Sequence, residues 1–388
     1  MDCQAAFPDL KACHKICLHY SKGMEEQPLG NLCAKFSLTL LLAVCGSLDM
    51  DSFAWGQAKA PAPRLEGQIT AKDAKALEEG LKTNPDNLAA RQELIRYYFM
   101  EMLTSREPEL EEKREQHVFW LIEHHPESEL AGSPEAEILP MDFSESSEGY
   151  QHGKQLWLQE AEKHPDDQRV LRNAGQFLSL FDRKIGRELL EKALALDPRD
   201  EATSSKLAQS YEQERILASS SEEKAALAQK ALSLRERGLE KAEGEQRFYE
   251  LGEVATLALE AGETAKAQQY ASELLLSAPK FKNDWNYGNA LHVGNIVLGR
   301  IALERGDIAG AKEHLLAAGQ TPGSPQLNSF GPNMMLAKGL LEKGEREVVL
   351  TYLQSCEKFW KMGGDELKAW TATIKGGGRP DFGANLRY

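Results

Sequence analysis

Ala161-Glu-Lys-His-Pro-Asp-Asp167 and Ala195-Leu-Asp-Pro-Arg-Asp200 each close one periodic apolar stretch and open the next, as do the earlier runs Leu81-Lys-Thr-Asn-Pro-Asp-Asn87 and Ile122-Glu-His-His-Pro-Glu-Ser128. Pro cannot continue a helix and pushes the residue before it out of the α region. The Asp, Asn or Ser that follows can accept from the free N–H groups of a new helix. The prolines of these phrases, Pro85, Pro126, Pro165 and Pro198, continue to Pro279 and Pro322, with successive separations of 41, 39, 33, 81 and 43 residues. The longest separation divides where Glu243-Gly244-Glu245 ends another helix. Such spacings belong to helical hairpin repeats. From Thr70 onward apolar residues recur at helical spacing, with almost no alternation or β-branched enrichment. The expected fold is therefore all-α, and the two or three domains that the length allows become one array of about six to seven hairpins.

Within the array, Val170, Ala174, Phe177, Gly186, Leu190 and Ala193 fall at recurring offsets, as do Leu251, Val254, Ala255, Ala258, Gly262, Ala267, Ala271 and Leu274. A third unit supplies Leu298, Gly299, Ala302, Gly306, Ala311, Leu315 and Ala318. Small residues at such places permit close helix crossing and large ones fill the gaps. On these positions the chain resembles the tetratricopeptide repeat family over roughly residues 70 to 388, with a weaker fit from Ala71 to Pro165 and from Glu201 to Glu245. The resemblance implies a right-handed α-solenoid whose groove, lined by the first helix of each hairpin, binds a protein or an extended peptide. The family's charged clamp for chaperone C-termini is not carried over. The corresponding positions are largely Val293, Ile296 and Leu303, with only Arg300 cationic.

The organisation expected from the sequence begins with a signal-like segment, residues 1–58, and a Pro/Ala linker, residues 59–69. N-terminal hairpins (70–126), an irregular acidic insertion (127–150), repeats (151–362) and a capping tail (363–388) follow. Phe36 to Leu48 is uncharged and apolar, preceded by Lys35 and too short for a membrane span, which fits the apolar region of an export signal cut before Lys59. Against that reading stands the long, mixed-charge stretch before it, which a start at Met24 would shorten. Leu42-Ala43-Val44-Cys45 resembles a lipobox and makes Cys45 a lipidation candidate, although bulky Val44 departs from the pattern. Cys3, Cys13, Cys17, Cys33 and Cys45 precede residue 46 and only Cys356 follows, so the body holds no disulfide framework.

A formal charge of −14 disfavours nucleic acid and anionic membrane surfaces as partners, and a membrane enters only through the signal or a lipid anchor. No glycine-rich nucleotide loop, zinc helix, nucleophile elbow or Cys-x-x-Cys pair occurs in the body, so neither cofactor nor metal is expected and the protein reads as non-catalytic. Acidic pairs such as Glu222-Glu223 read as solvated helix faces, and Cys356 as a packed apolar side chain. The stretch 126–150 reads as a flexible insertion in which Ile138-Leu139-Pro140-Met141 docks as a clip, and Trp360, Trp370 and Phe382 read as capping aromatics.

The candidate partner-binding residues are Asn286, Asn289, His292 and Asn295, spaced by three along one slowly rotating helical stripe, together with Arg300. Amides and imidazole offer both donors and acceptors, which suits main-chain recognition; an internal polar network is the competing reading. The function expected is an interaction scaffold or assembly factor in a bacterial envelope. An accessory subunit of a cell-wall enzyme and a cytosolic regulator remain as alternatives.

Overall fold

The computed structural model describes residues 69–105, 108–138 and 147–387. The signal-like segment, Cys45, most of the linker and Leu139-Pro140-Met141 lie outside these residues. The described residues are helical throughout, with no strand. They divide into two compact units between Phe181 and Asp182.

The first unit contains α1 (Ala71–Thr83), α2 (Leu88–Thr104), α3 (Pro108–His124), α4 (Glu148–Lys163) and α5 (Gln168–Leu178), each packing on the next. The proline phrases do what their chemistry dictates. Asn87 caps α2 by accepting from the Ala90 N–H, and Asp167 caps α5 by accepting from those of Arg169 and Val170. Thr70 and Asp73 form a capping box on α1. In the hairpins, the Tyr98 hydroxyl donates to Glu78 at 2.6 Å, and His117 lies with Nε2 3.1 Å from the same carboxylate. Arg91 Nη1 faces His117 Nδ1 at 3.3 Å, and because a guanidinium only donates, the ring is neutral with its proton on Nε2. Burial, then Arg91, lowers the pKa of His117 against the pull of Glu78.

The stretch after Pro126 departs from the expectation of a flexible insertion. Residues Leu130–Gly132 and Pro134–Ala136 form short 3₁₀ turns, and Leu130, Ala131, Ala136 and Ile138 are buried. Two side chains bind its main chain: Asn173 donates to the carbonyls of Pro126 and Ser128, both at 2.9 Å, and Arg114 to those of Glu135 and Glu137 at 2.7 and 2.9 Å. A buried loop without such partners would leave carbonyls unsatisfied, so these two residues make its burial possible.

The second unit contains α6 (Arg183–Leu196), α7 (Glu201–Leu217), α8 (Ser221–Leu239), α9 (Gly244–Glu260), α10 (Thr264–Ser277), α11 (Tyr287–Glu304), α12 (Ile308–Gly319), α13 (Pro325–Phe330), α14 (Met335–Glu342), α15 (Arg346–Cys356) and α16 (Gly364–Lys375). Most of these helices pack on their chain neighbours; α9 also meets α11, and α11 meets α14. Most of the family-like positions are buried, among them Ala255, Ala258, Ala267, Ala271, Ala311, Leu315 and Ala318.

Three of the hairpins turn on the same phrase: Leu259-Glu-Ala-Gly-Glu263, Leu303-Glu-Arg-Gly-Asp307 and Leu341-Glu-Lys-Gly-Glu345. Gly262, Gly306 and Gly344 have φ of 81, 79 and 87°, a region that L side chains rarely adopt. Each allows the following N–H to reach back to the carbonyl of Ala258, Ala302 or Leu340, at 2.8 to 3.0 Å, closing the helix with a Schellman turn.

The long connection after α12 is not wholly irregular, because Ser324 accepts from the Leu327 N–H and starts α13. At the end of the chain Trp360, Trp370 and Phe382 are buried together, with ring centroids 5.6 and 5.0 Å apart, over the apolar face of the last hairpin. Cys356 is fully buried, and burial pushes its thiol far above the usual range.

Candidate functional site

The residues expected to share one stripe on α11 lie along it but turn to different neighbours. Asn286 precedes the helix, and its Oδ1 accepts from Asn289 Nδ2 at 2.9 Å. Asn289 also donates to Gln326 Oε1 at 3.0 Å and accepts from Ser324 Oγ at 2.6 Å. Two of the stripe's amides thus hold the start of α13.

His292, expected in a recognition stripe, is instead enclosed at 1% exposure. The Ala318 carbonyl can only accept, so Nδ1–H donates to it (3.2 Å), while Nε2 accepts from the Asn333 N–H (3.1 Å). The ring is neutral, with its tautomer fixed by two main-chain groups. Burial lowers its pKa to about 4. Asn295 faces the other way. Its Nδ2 donates to the Leu291 carbonyl at 2.8 Å and its Oδ1 accepts from His314 Nδ1 at 3.0 Å on α12.

Arg300 is the exception among the five candidates. It is partly exposed, and it makes neither a hydrogen bond nor an ion pair with any described residue. Burial lowers its pKa against the pull of Glu260 and Glu304, with Arg215 as a like-charged neighbour. Its surroundings form the densest charge constellation of the second unit.

That constellation joins α7, α8 and α9. Arg235 on α8 grips Glu212 on α7 through two nitrogens, at 2.7 and 3.0 Å, and reaches Glu250 on α9 at 3.6 Å. Arg215, 4% exposed on α7, meets Glu253 at 3.2 Å and binds Glu260, both on α9. Lys224 completes the set at 3.0 Å from Glu260. Burial works against the Arg215 cation, and Glu253 and Glu260 more than offset it, so its pKa is raised. Glu260 shows the reverse balance: burial raises it, and Arg215 and Lys224 bring it below the ordinary range.

Glu253 differs although it is paired. Desolvation, then the neighbouring Glu212, push its carboxyl above the ordinary range against Arg215 and Arg235, with Glu260 adding to the rise. Its side chain is 41% exposed, so it remains in contact with solvent despite the crowd of charges.

Only Arg300 of this group was nominated by the sequence. Cross-helix partners of a Glu or an Arg leave no trace in local spacing. One signal was available: Glu260, Glu304 and Glu342 share one register position, beside the recurrent turn glycine. No cluster of His, Cys, Asp and Glu suited to a metal occurs among the described residues. Nor is any described helix long and apolar enough to cross a membrane. The chain matches no family model and no curated protein.

Proposed function

We propose that the protein is a non-catalytic interaction scaffold in which Asp182–Arg387 forms a tetratricopeptide-like α-solenoid binding a protein or extended peptide across its first helices. The observation that carries this reading is the repeated turn after α9, α11 and α14. One phrase, closed the same way three times, sets these three helices in one register, and α9 meets α11 as α11 meets α14. Repeats stacked in register present a continuous ladder of side chains, the kind of surface that reads an extended chain. Export is proposed with it, on the Phe36–Leu48 run and the linker that follows.

The test is affinity purification of the full chain, followed by reconstitution of the recovered complex from purified components. Thr256 holds on α9 the register position that Arg300 holds on α11. Thr256→Trp is expected to block the reconstituted binding while leaving helicity unchanged. A partner that binds this variant as well as the native protein, or the lack of any reconstitutable partner, overturns the scaffold reading. Intact-mass measurement on envelope-fraction protein retaining residues 1–50 overturns export.

A further inference from the structure

Polar groups withdrawn from bulk water are ordinarily spent on partners within the fold. The cavity between α10, α11 and α12 departs from that pattern. Its volume is about 220 Å³, and Leu298, Ile301 and Ala302 of α11 supply its apolar wall. An apolar cavity of about 150 Å³ holds benzene, so this one takes a ring with a substituent.

His314 and Ser272 line the same cavity from α12 and α10. Asn295 donates its amide nitrogen to the Leu291 carbonyl, which leaves its Oδ1 to accept, and His314 donates to that oxygen from Nδ1 at 3.0 Å. The neutral ring then carries its lone pair on Nε2, and no described residue donates to that atom. Burial lowers the pKa of His314 against the pull of Glu313 and Asp307, which keeps the ring neutral. The half-buried Ser272 hydroxyl is likewise unbonded to any described residue. An acceptor whose direction is fixed by a neighbouring helix, with a free hydroxyl facing the same space, suits a ligand O–H.

The α11–α12 turn closes the other end. Arg305 and Asp307 flank Gly306 and both line the cavity, yet they form no ion pair. Asp307 spends one oxygen on the Gly310 N–H at 2.9 Å and keeps the other. Opposite charges that share a cavity without pairing accommodate a ligand that carries both. Leu298 stands seven residues before Arg305, and His314 seven after Asp307, so the polar ends are separated by about 10 Å along the helices.

We infer that this cavity binds a free amino acid of the tyrosine type, its phenol donating to His314 Nε2, its ring against Leu298, Ile301 and Ala302, and its carboxylate and ammonium meeting Arg305 and Asp307. The inference goes beyond the scaffold reading and does not depend on it. Phenylalanine brings the same ring but leaves Nε2 unpaired once water is expelled. N-acetyl-tyrosinamide keeps the phenol and lacks both charges.

The experiment titrates the full chain with L-tyrosine, L-phenylalanine and N-acetyl-L-tyrosinamide, read by saturation-transfer NMR. Tyrosine is expected to bind roughly tenfold more tightly than either analogue. His314→Leu is expected to abolish the preference over phenylalanine. Asp307→Asn, which keeps an oxygen for the Gly310 N–H, is expected to narrow the preference over the blocked amide, and Ser272→Trp, which fills the cavity, to block all three ligands. Circular dichroism checks that each variant is folded, and the comparison of ligands on the native protein stands without any variant.

Absence of tyrosine binding, phenylalanine bound as tightly as tyrosine, or tyrosine binding undiminished in folded Ser272→Trp overturns the inference. N-acetyl-tyrosinamide bound as tightly as tyrosine overturns the free amino acid as the source, in favour of a tyrosine residue within a polypeptide. None of these outcomes bears on the scaffold reading.

Discussion

The α7–α9 stretch and the stretch from α11 to the chain end solve the same problem with opposite chemistry. In the first, regular helices with short connections leave little loop main chain to satisfy, and the polar links between them are mostly ion pairs: Arg235 to Glu212 and Glu250, Arg215 to Glu253 and Glu260, with Arg247 adding one bond to the Leu239 carbonyl at 2.8 Å. In the second, two connections, 321–324 and 331–334, are irregular and largely buried. Neutral or singly pinned side chains there capture main-chain groups: His292 takes Ala318 and Asn333, Thr321 takes the Gly288 carbonyl at 2.8 Å, and Asn385 takes the carbonyls of Phe330 and Pro332 at 3.1 and 2.9 Å. Side chains mostly bind side chains where helices satisfy their own backbone, and bind backbone where buried loops cannot.

The comparison breaks most visibly at Arg215. Removing one member of a buried charge set strands the others, and Arg215→Met is expected to cost about 3 kcal/mol, because Glu260 keeps only Lys224. Adding Glu260→Leu is expected to recover part of the loss, since it removes the more buried of the two stranded carboxylates while Glu253 and Lys224, both partly exposed, are left to water. Urea midpoints of the two variants check this; a double variant no better than the single one would show that Arg215 matters by its packing alone.

In the C-terminal stretch the corresponding point is Gly288. A Cβ built there would lie 1.8 Å from the Gly323 carbonyl oxygen, a backbone atom that cannot swing aside. Gly288→Ala is expected to cost on the order of 2 to 3 kcal/mol, read as a lower urea midpoint with an unchanged slope. An effect under about 0.5 kcal/mol would show that the 321–324 segment yields freely.

Acid sharpens the contrast. For His292 the folded pKa of about 4 lies below the unfolded value near 6.5, so the unfolded chain binds the proton more tightly. Its contribution is complete above about pH 6.5 and is lost as pH falls toward 4, by about 3 kcal/mol in all. His117 shifts in the same direction. Glu253 has the opposite sign: its folded pKa is raised, so the stretch around it gains stability as pH falls toward the ordinary carboxylate range. His292→Gln is expected to cost about 2 kcal/mol at pH 7, with the gap to the native protein closing by pH 4. A gap that stays constant with pH would remove proton linkage at His292 from the account.

These contrasts also mark what the sequence could disclose. The proline phrases, the caps at Asn87 and Asp167, the apolar register of α9 to α12 and the buried aromatic end at Trp360, Trp370 and Phe382 were all legible, because each depends on residues close in the chain or on a period. The anchoring of 127–138 was not, since it needs Arg114 and Asn173 from distant helices, and neither side chain announces a carbonyl as its partner. The helical stripe on α11 was legible as a set of positions, with Asn286 falling just before the helix. Where Asn289, His292 and Asn295 turned was decided by α12, α13 and the residues flanking them, whose groups the sequence does not place beside the stripe.

The smallest expected effect tests whether closeness or burial gives an ion pair its worth. Lys241 and Glu201 make one of the tightest ion pairs of the second unit, yet their side chains are 68% and 71% exposed. Water screens both charges before and after folding, and holding two long side chains in one geometry costs entropy that the attraction only matches. Lys241→Ala is therefore expected to change stability by less than about 0.5 kcal/mol and to lose even that in 1 M salt, whereas the Arg215 deficit, shielded from solvent, persists. A loss at Lys241 comparable to that at Arg215 would mean that contact distance governs. The ion pairs of α7–α9 would then be no different in kind from those at the surface.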